Sequence, residues 1–370
     1  MKTEITNLLG CSYPIIQTAM GWVSDAKLTA ATCNAGGFGF LAGATIPPNE
    51  MEEEILKTKT LTSKPFGVNF HMYQPNASHI VELVVKHQVK AVSYSRSPDP
   101  NFIRQLKNHG ILCIPTIGLP KHARKAIEFG ADALTVQGGE GGGHTGAIPT
   151  SLLLPAVVDA TKGQVPVIGA GGFKDGRGLV AALAYGAQGI AMGTRFLLTK
   201  ESPVPLSTKQ RYLECHDPGS VIVSKALDGM PQRMILNEML TNLEKASPLK
   251  RLAIAIANGF KYRQFTGATI GKLLSSMMSM IKAEGLQASQ AIMSANAPMI
   301  IQKSMVEGHP TEGALPSGQV AGVIEDLVSC DDLIRSIMGE AYKQLEQLQT
   351  VKGTTYMRPK GASYEPTLSH

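Results

Sequence analysis

Eight short apolar runs, the first seven each followed by a stretch of helical periodicity, fill the first half of the chain and leave few folds open to it. The runs cover residues 14–20, 38–43, 65–70, 91–95, 112–117, 133–138, 166–171 and 189–194. Strands that alternate with helices pair in parallel, and eight such units close a barrel. In KHARKAIEFGADALTVQGG, Ala123, Ala126, Ile127 and Phe129 recur at helical spacing, Gly130 stops the helix, and a β-rich run follows at once. GRGLVAALAYGAQGIAMGTRF repeats the unit, with Leu179, Ala182 and Leu183 on the helix face and Gly186 as the stop. Strand count alone also fits a doubly wound open sheet. Glycine and polar clusters at the C-terminal end of nearly every run favour the barrel, which gathers its ligand site at that face.

Past Phe196 the alternation ends. Residues 200–315 carry helix-like stretches rich in Met, Ala, Lys and Leu, among them LNEMLTNLEKA and GATIGKLLSSMMSMIKAEG. SGQVAGVIEDLVSCDDLIRSIMGEAYKQLEQL then reads as long amphipathic helices. The expected architecture is α/β: a (β/α)₈ TIM barrel with a helical insertion after strand 8. It divides into a barrel over 1–199, an insertion that serves the substrate over 200–315, helices closing the barrel over 316–350 and a flexible tail over 351–370.

Composition excludes several classes. Although 43% of the 370 residues are hydrophobic, no apolar stretch approaches the roughly 18 to 20 residues that span a bilayer. The opening MKTEITNLLG has no apolar core of the kind a secretory signal carries, so a cytoplasmic enzyme is expected. Five scattered cysteines, with no CxxC and no Cys/His spacing, suit free thiols and no metal site. A net charge of +6, spread without interleaved aromatics, does not describe a nucleic-acid surface. A small-molecule substrate is the expected partner, and a homo-oligomer is compatible with everything above.

The chemistry concentrates in Val136-Gln-Gly-Gly-Glu-Gly-Gly-Gly-His144-Thr-Gly146, where six of eleven residues are glycine. Neither helix nor strand propensity accounts for this; something must lie against the backbone. Gln137 offers an amide to the edge of a heteroaromatic ring, and His144 is the group in the loop able to exchange a proton near neutral pH. A second cluster, GAGGFKDGRG, ends the seventh run and starts a helix, an arrangement that turns backbone N–H groups toward an anion. Gly193 and Thr194 end the eighth run beside it, and barrel phosphates commonly bind there. There is no Walker-type Gly-Lys-Ser/Thr and no dinucleotide GxGxxG with its acidic partner.

The blocks IIQTAMGW, PFGVNF, VQGGEGGGHTG, GAGGF, AMGTRF and SGQVAG, in this order and spacing, resemble the signature of the nitronate monooxygenase (2-nitropropane dioxygenase) family of FMN barrels. That family also includes NADH:quinone reductases and an FMN-dependent enoyl-ACP reductase. The resemblance implies FMN as cofactor, with Met20, Gly21, Asn69, Gln137 and Gln319 along the isoalloxazine and Gly142 and Gly143 against it. It implies Gly171, Gly172, Gly193 and Thr194 at the phosphate, and His144 as catalytic base. Gly141 and Thr145 depart from nitronate-oxidising members, which usually carry alanine and often arginine at these places. TAMGWV, GGFKDGRG, AMGTRFLLT, LDGMPQR and ANAPM are instead similar to a branch of flavin-dependent dehydrogenases of bacterial steroid C/D-ring catabolism, which act on indane-dione carboxyl-CoA thioesters.

The leading expectation is therefore redox chemistry at a carbon next to a carbonyl in a bulky cyclic acyl-CoA. Nitronate oxidation by O₂ and NAD(P)H:quinone reduction are the alternatives, and a non-catalytic flavin-binding protein is a third class. In the insertion, Met277, Met278, Met280, Met293, Met299 and Met305 suit either an irregular apolar ligand or core packing. Lys250, Arg251, Lys261, Arg263 and Lys272 suit either CoA phosphates, with Arg251 and Arg263 as the candidates, or an ordinary solvated face.

Overall fold

A computed structural model describes residues 1–95, 98–266, 292–294 and 296–350, with isolated positions between 269 and 281. The expected flexible tail, and with it Lys272, Met277 and Met280, lies outside the described residues.

Each apolar run contains one barrel strand: β1 (Ile15–Gln17), β2 (Phe38–Ala42), β3 (Gly67–Asn69), β4 (Ala91–Ser95), β5 (Leu112–Ile117), β6 (Leu134–Gln137), β8 (Val167–Ala170) and β9 (Gly189–Met192). They form a closed barrel in the order β1-β2-β3-β4-β5-β6-β8-β9, all parallel, and β1 seals it by pairing Ile15, Ile16 and Gln17 with Ile190, Ala191 and Met192. The remaining short strand, β7 (Gly143–His144), belongs elsewhere.

Helix α1 (Glu4–Leu9) precedes the barrel and plugs the end where the strands begin. Its Ile5 and Leu9 share one apolar cluster with Ile16, Phe38, Phe40, Ile114 and Ile168, and the Thr3 hydroxyl at its N-cap donates to the carbonyl of Gln188 just before β9. Burying each such side chain stabilises the fold by about 1.5–3 kcal/mol. Around the barrel run α2 (Ala26–Asn34), α3 (Met51–Leu61), α4 (Ala77–Lys86), α5 (Pro100–Asn108), α6 (Pro120–Glu128), α7 (Thr150–Thr161) and α8 (Gly176–Ala184). Asp25, Asp99 and Asp175 cap α2, α5 and α8 by accepting from first-turn N–H groups. The two expected helix stops, Gly130 and Gly186, adopt positive φ of 94° and 89°.

After β9 the chain makes α9 (Thr194–Leu197), α10 (Leu206–Leu213), strands β10 (Val221–Ser224) and β11 (Gln232–Ile235), then α11 (Glu238–Lys245), α12 (Pro248–Thr266) and α13 (Asn296–Met305). The insertion is thus not helical throughout: β10 and β11 form an antiparallel hairpin, because Val221, Ile222 and Val223 prefer extended backbone and Asp228-Gly229 turns the chain, with Gly229 at φ 83°. Residues 317–329, expected to begin a helix, instead form a short 3₁₀ turn at Gln319–Val323 and irregular chain. Helix α14 (Cys330–Thr350) packs against α8 and α2 and takes the place of the eighth barrel helix. Among the described residues, no helix is long and apolar enough to cross a membrane.

Candidate active site

Parallel strands put their C-terminal ends on one face, so Met20 and Gly21 after β1, Asn69 ending β3, Gln137 ending β6, Gly171 and Gly172 after β8 and Gly193 after β9 surround one mouth. Neighbouring ends touch: a β-carbon added at Gly193 would stand 3.4 Å from Met20 Sδ. The Asn69 amide donates to the carbonyl and hydroxyl of Ser93 on β4, at 3.1 and 2.9 Å, which orients its side chain at the rim.

The glycine-rich stretch is a folded platform. Gly138 N–H donates to Ala170 and Gly139 N–H to Ile148, and Glu140 turns its carboxylate onto the backbone N–H and hydroxyl of Thr150 at the start of α7. The Gln137 amide folds over it to donate to the His144 carbonyl at 2.9 Å. Gly142 has a reason other than the expected cofactor contact, because a β-carbon there would lie 2.6 Å from the Gly318 nitrogen. The Gly318 N–H donates to the Thr194 hydroxyl and the Gln319 N–H to the Glu140 carbonyl, so 317–319 ties this platform to the end of β9. Gly143, at φ 68°, faces open space.

His144 sits in β7, which pairs with β11 as the third strand of the hairpin sheet, Gln232 opposite His144 and Arg233 opposite Gly143. Arg233 reinforces this by donating from Nε to the Gly139 carbonyl and from Nη1 to the Val221 carbonyl, both at 2.9 Å. Burial lowers the pKa of this guanidinium, with Glu140 opposing the shift. The His144 side chain is 40% exposed, yet its Nε2 lies 2.7 Å from Oδ2 of Asp228, which is 1% exposed. The Met230 N–H donates to Asp228 Oδ1 at 3.0 Å and the Gln232 amide donates to Oδ2. Asp228 and Gln232 were not among the residues expected from the sequence. LDGMPQR stood out there as a block, but no spacing rule connects Asp228 to a histidine 84 positions earlier.

The anion cradle differs in one respect from expectation. The first-turn N–H groups of α8 are already taken: Asp175 accepts from Arg177 and Gly178, and Glu340 accepts from Gly176. Gly171 and Gly172, at φ 100° and 80°, follow β8, and Gly193 precedes Thr194 in α9, which has no side-chain cap. Of the two candidate arginines on α12, Arg251 donates from Nε to the Ala246 carbonyl and Arg263 is exposed. They stand about 18 Å apart at ~1.5 Å per helical residue, so they do not converge on one phosphate. Met299 and Met305 are buried, while Met278 is exposed. No group of three or more His, Cys, Asp or Glu among the described residues is arranged to hold a metal.

The sequence model of the nitronate monooxygenase family matches residues 2–82 and 76–340. The chain belongs to that family. It is an oxidoreductase of a flavoenzyme family that acts on a small molecule. A Rhodococcus jostii protein named (3aS,4S,5R,7aS)-5-hydroxy-7a-methyl-1-oxo-octahydro-1H-indene-4-carboxyl-CoA dehydrogenase is 46% identical over 95% of this chain and 99% of the relative. A probable nitronate monooxygenase of Staphylococcus saprophyticus is 30% identical over 66% of this chain and 81% of its own. The solved structure of FabK from Thermotoga maritima superimposes with a TM-score of 0.78 at 27% identity, over 95% of this chain and 99% of that one.

Proposed function

We propose that this protein is an FMN-dependent dehydrogenase that oxidises, or in reverse reduces, the carbon–carbon bond next to the carbonyl of a bulky cyclic acyl-CoA, with His144 as the base. The observation that carries this is the docking of the insertion's hairpin onto the histidine strand, through β7–β11 pairing and Arg233. The insertion is thereby part of the site, and the carboxyl-CoA dehydrogenase relative matches nearly the whole chain, whereas the nitronate relative matches two thirds of it.

Met20, Gly21, Asn69, Gln137 and Gln319 would line the flavin ring, with Gly143 beside it, and Gly171, Gly172, Gly193 and Thr194 would hold its phosphate. The fit rests on the left-handed glycines at 171 and 172 and on the open space at Gly143. One phosphate cradle without an adenine fingerprint favours FMN over FAD. When bound, the flavin supplies a two-electron acceptor for hydride. His144 takes the acidic proton from the carbon α to the thioester, and hydride leaves the adjacent β-carbon, giving the α,β-unsaturated thioester. The exposed imidazole meets the substrate from the mouth. On α12, Arg263 would meet the CoA phosphates, Arg251 being engaged with Ala246.

Anaerobic mixing tests the reading. The indene carboxyl-CoA named for the Rhodococcus relative should bleach the flavin with a higher kcat/KM than propyl nitronate, and His144→Ala should slow that bleaching by ~10²- to 10⁴-fold while keeping the flavin. Faster turnover of propyl nitronate, or an unchanged rate in His144→Ala, would return the protein to nitronate oxidation or remove the histidine from the chemistry.

A further inference from the structure

We propose that Asp228 is the positioning residue for proton transfer at His144: it holds the ring in the Nε2–H form and leaves Nδ1 as the atom that exchanges the proton. This rests on the assignment of His144 as base and adds the atom and the group that sets it.

At 1% exposure an ionised Asp228 carboxylate is costly unless donors satisfy it. Three donors surround it: the Met230 N–H on Oδ1, and the Gln232 amide and His144 Nε2 on Oδ2. An ionised carboxylate only accepts, so Nε2 must carry the hydrogen it shares with Oδ2. The Gln232 amide nitrogen, itself a donor, stands farther from Nε2, at 3.2 Å, and donates to Oδ2, so the shorter 2.7 Å contact between Nε2 and the carboxylate decides the assignment. In a neutral imidazole the other nitrogen then carries the lone pair. Among the described residues no hydrogen bond engages Nδ1. The ring is accessible and the carboxylate is not, so substrate meets His144 and Asp228 acts through it. Once Nδ1 has taken a proton, the buried carboxylate still faces the ring across 2.7 Å, so Nε2 keeps the same partner through the transfer.

A purely structural role for Asp228, fastening the hairpin, has other fasteners to compete with: the β7–β11 pairing and the two Arg233 bonds. Asp228→Asn therefore separates the two. It keeps the shape, but its amide can donate to Nε2 and so favour the Nδ1–H tautomer. In serine proteases the same exchange leaves the geometry intact and lowers kcat by about 10⁴. Here Asp228→Asn should retain flavin and substrate affinity yet lose ~10²- to 10⁴-fold in the anaerobic rate of flavin reduction.

The spectroscopic arm needs no turnover. In protein labelled with ¹⁵N-histidine, the ring of His144, assigned by its disappearance in His144→Ala, should show a protonated Nε2 and unprotonated Nδ1, and Asp228→Asn should invert that pattern. A wild-type ring protonated at Nδ1 instead overturns the proposal, even if Asp228→Asn fails to fold. So does an Asp228→Asn rate within threefold of wild type when His144→Ala is slow. An unaffected His144→Ala would instead overturn the underlying assignment of the base.

Discussion

Gln137 occupies the space that a side chain at position 141 would need: a β-carbon on Gly141 would lie 2.7 Å from both Cγ and Nε2 of Gln137. The missing side chain lets Gln137 fold across the platform and hold the His144 carbonyl. The departure noticed in the sequence at Gly141 thus has a packing consequence at the strand that carries the histidine.

Gly141→Ala should expel the Gln137 side chain and break its bond to His144. The expected result is a protein that still folds and binds flavin, with flavin reduction slowed more than substrate binding is weakened. Gln137→Ala should reproduce most of that loss, and the double variant should be little worse than either single one, since both remove the same contact. Additive losses in stopped-flow rates would contradict the coupling.

The proposed phosphate cradle leads to a second expected outcome. Gly171 at φ 100° lies where L side chains are strained by about 1–3 kcal/mol, and a β-carbon there would stand 3.2 Å from the Gly138 carbonyl oxygen. Gly171→Ala should weaken flavin binding at least severalfold and lower Tm by a few degrees. Equilibrium dialysis of the flavin and a melting curve check both; unchanged affinity would move the phosphate elsewhere.

Trp22 is the sole tryptophan, directly after Gly21 at the mouth, and adopts φ 60°. Strained backbone of this kind needs surrounding structure to hold it, here including the bond from its N–H to the Thr45 hydroxyl. Its emission should rise severalfold when flavin is stripped and fall again on titration with FMN. An emission blind to flavin would place the ring away from the end of β1.

Burial pushes the thiols of Cys33, Cys113 and Cys330 up to about 12 and that of Cys11 to about 11, and raises that of Cys215. At pH 8 a thiol of pKa near 12 is thiolate in only ~10⁻⁴ of molecules. A chromogenic disulfide reagent should therefore label native protein slowly and leave activity intact, while all five cysteines react after denaturation. Rapid native labelling with inactivation would point to a thiol in the mechanism.

The barrel was legible because each strand run is a local signal: apolar residues, then a glycine or polar stop, with Gly130 and Gly186 ending helices as their spacing implied. The residues at the strand ends followed from topology once the barrel was drawn. The partners of His144 did not. Asp228 reaches it through a hairpin in a segment whose composition reads as helix, and the local hint, VIVS and QRMI flanking an Asp-Gly, indicates a turn without indicating what it docks on. Gly142 shows the converse limit: the sequence marks a close approach, but not whether a ligand or the backbone at Gly318 makes it.

The position of α14 bears on how the chain reaches this state. Between β9 and the helix that completes its unit lies the whole insertion, so α8 and α2 gain their shared neighbour only when the chain has passed Cys330. Loop-closure entropy rises slowly with length, but contacts between distant segments form late. A nascent chain released before α14 would carry bare apolar flanks on both helices, and Ile334, Ile337 and Met338, buried in the finished fold, would act as the latch that ends its vulnerability to aggregation and proteolysis.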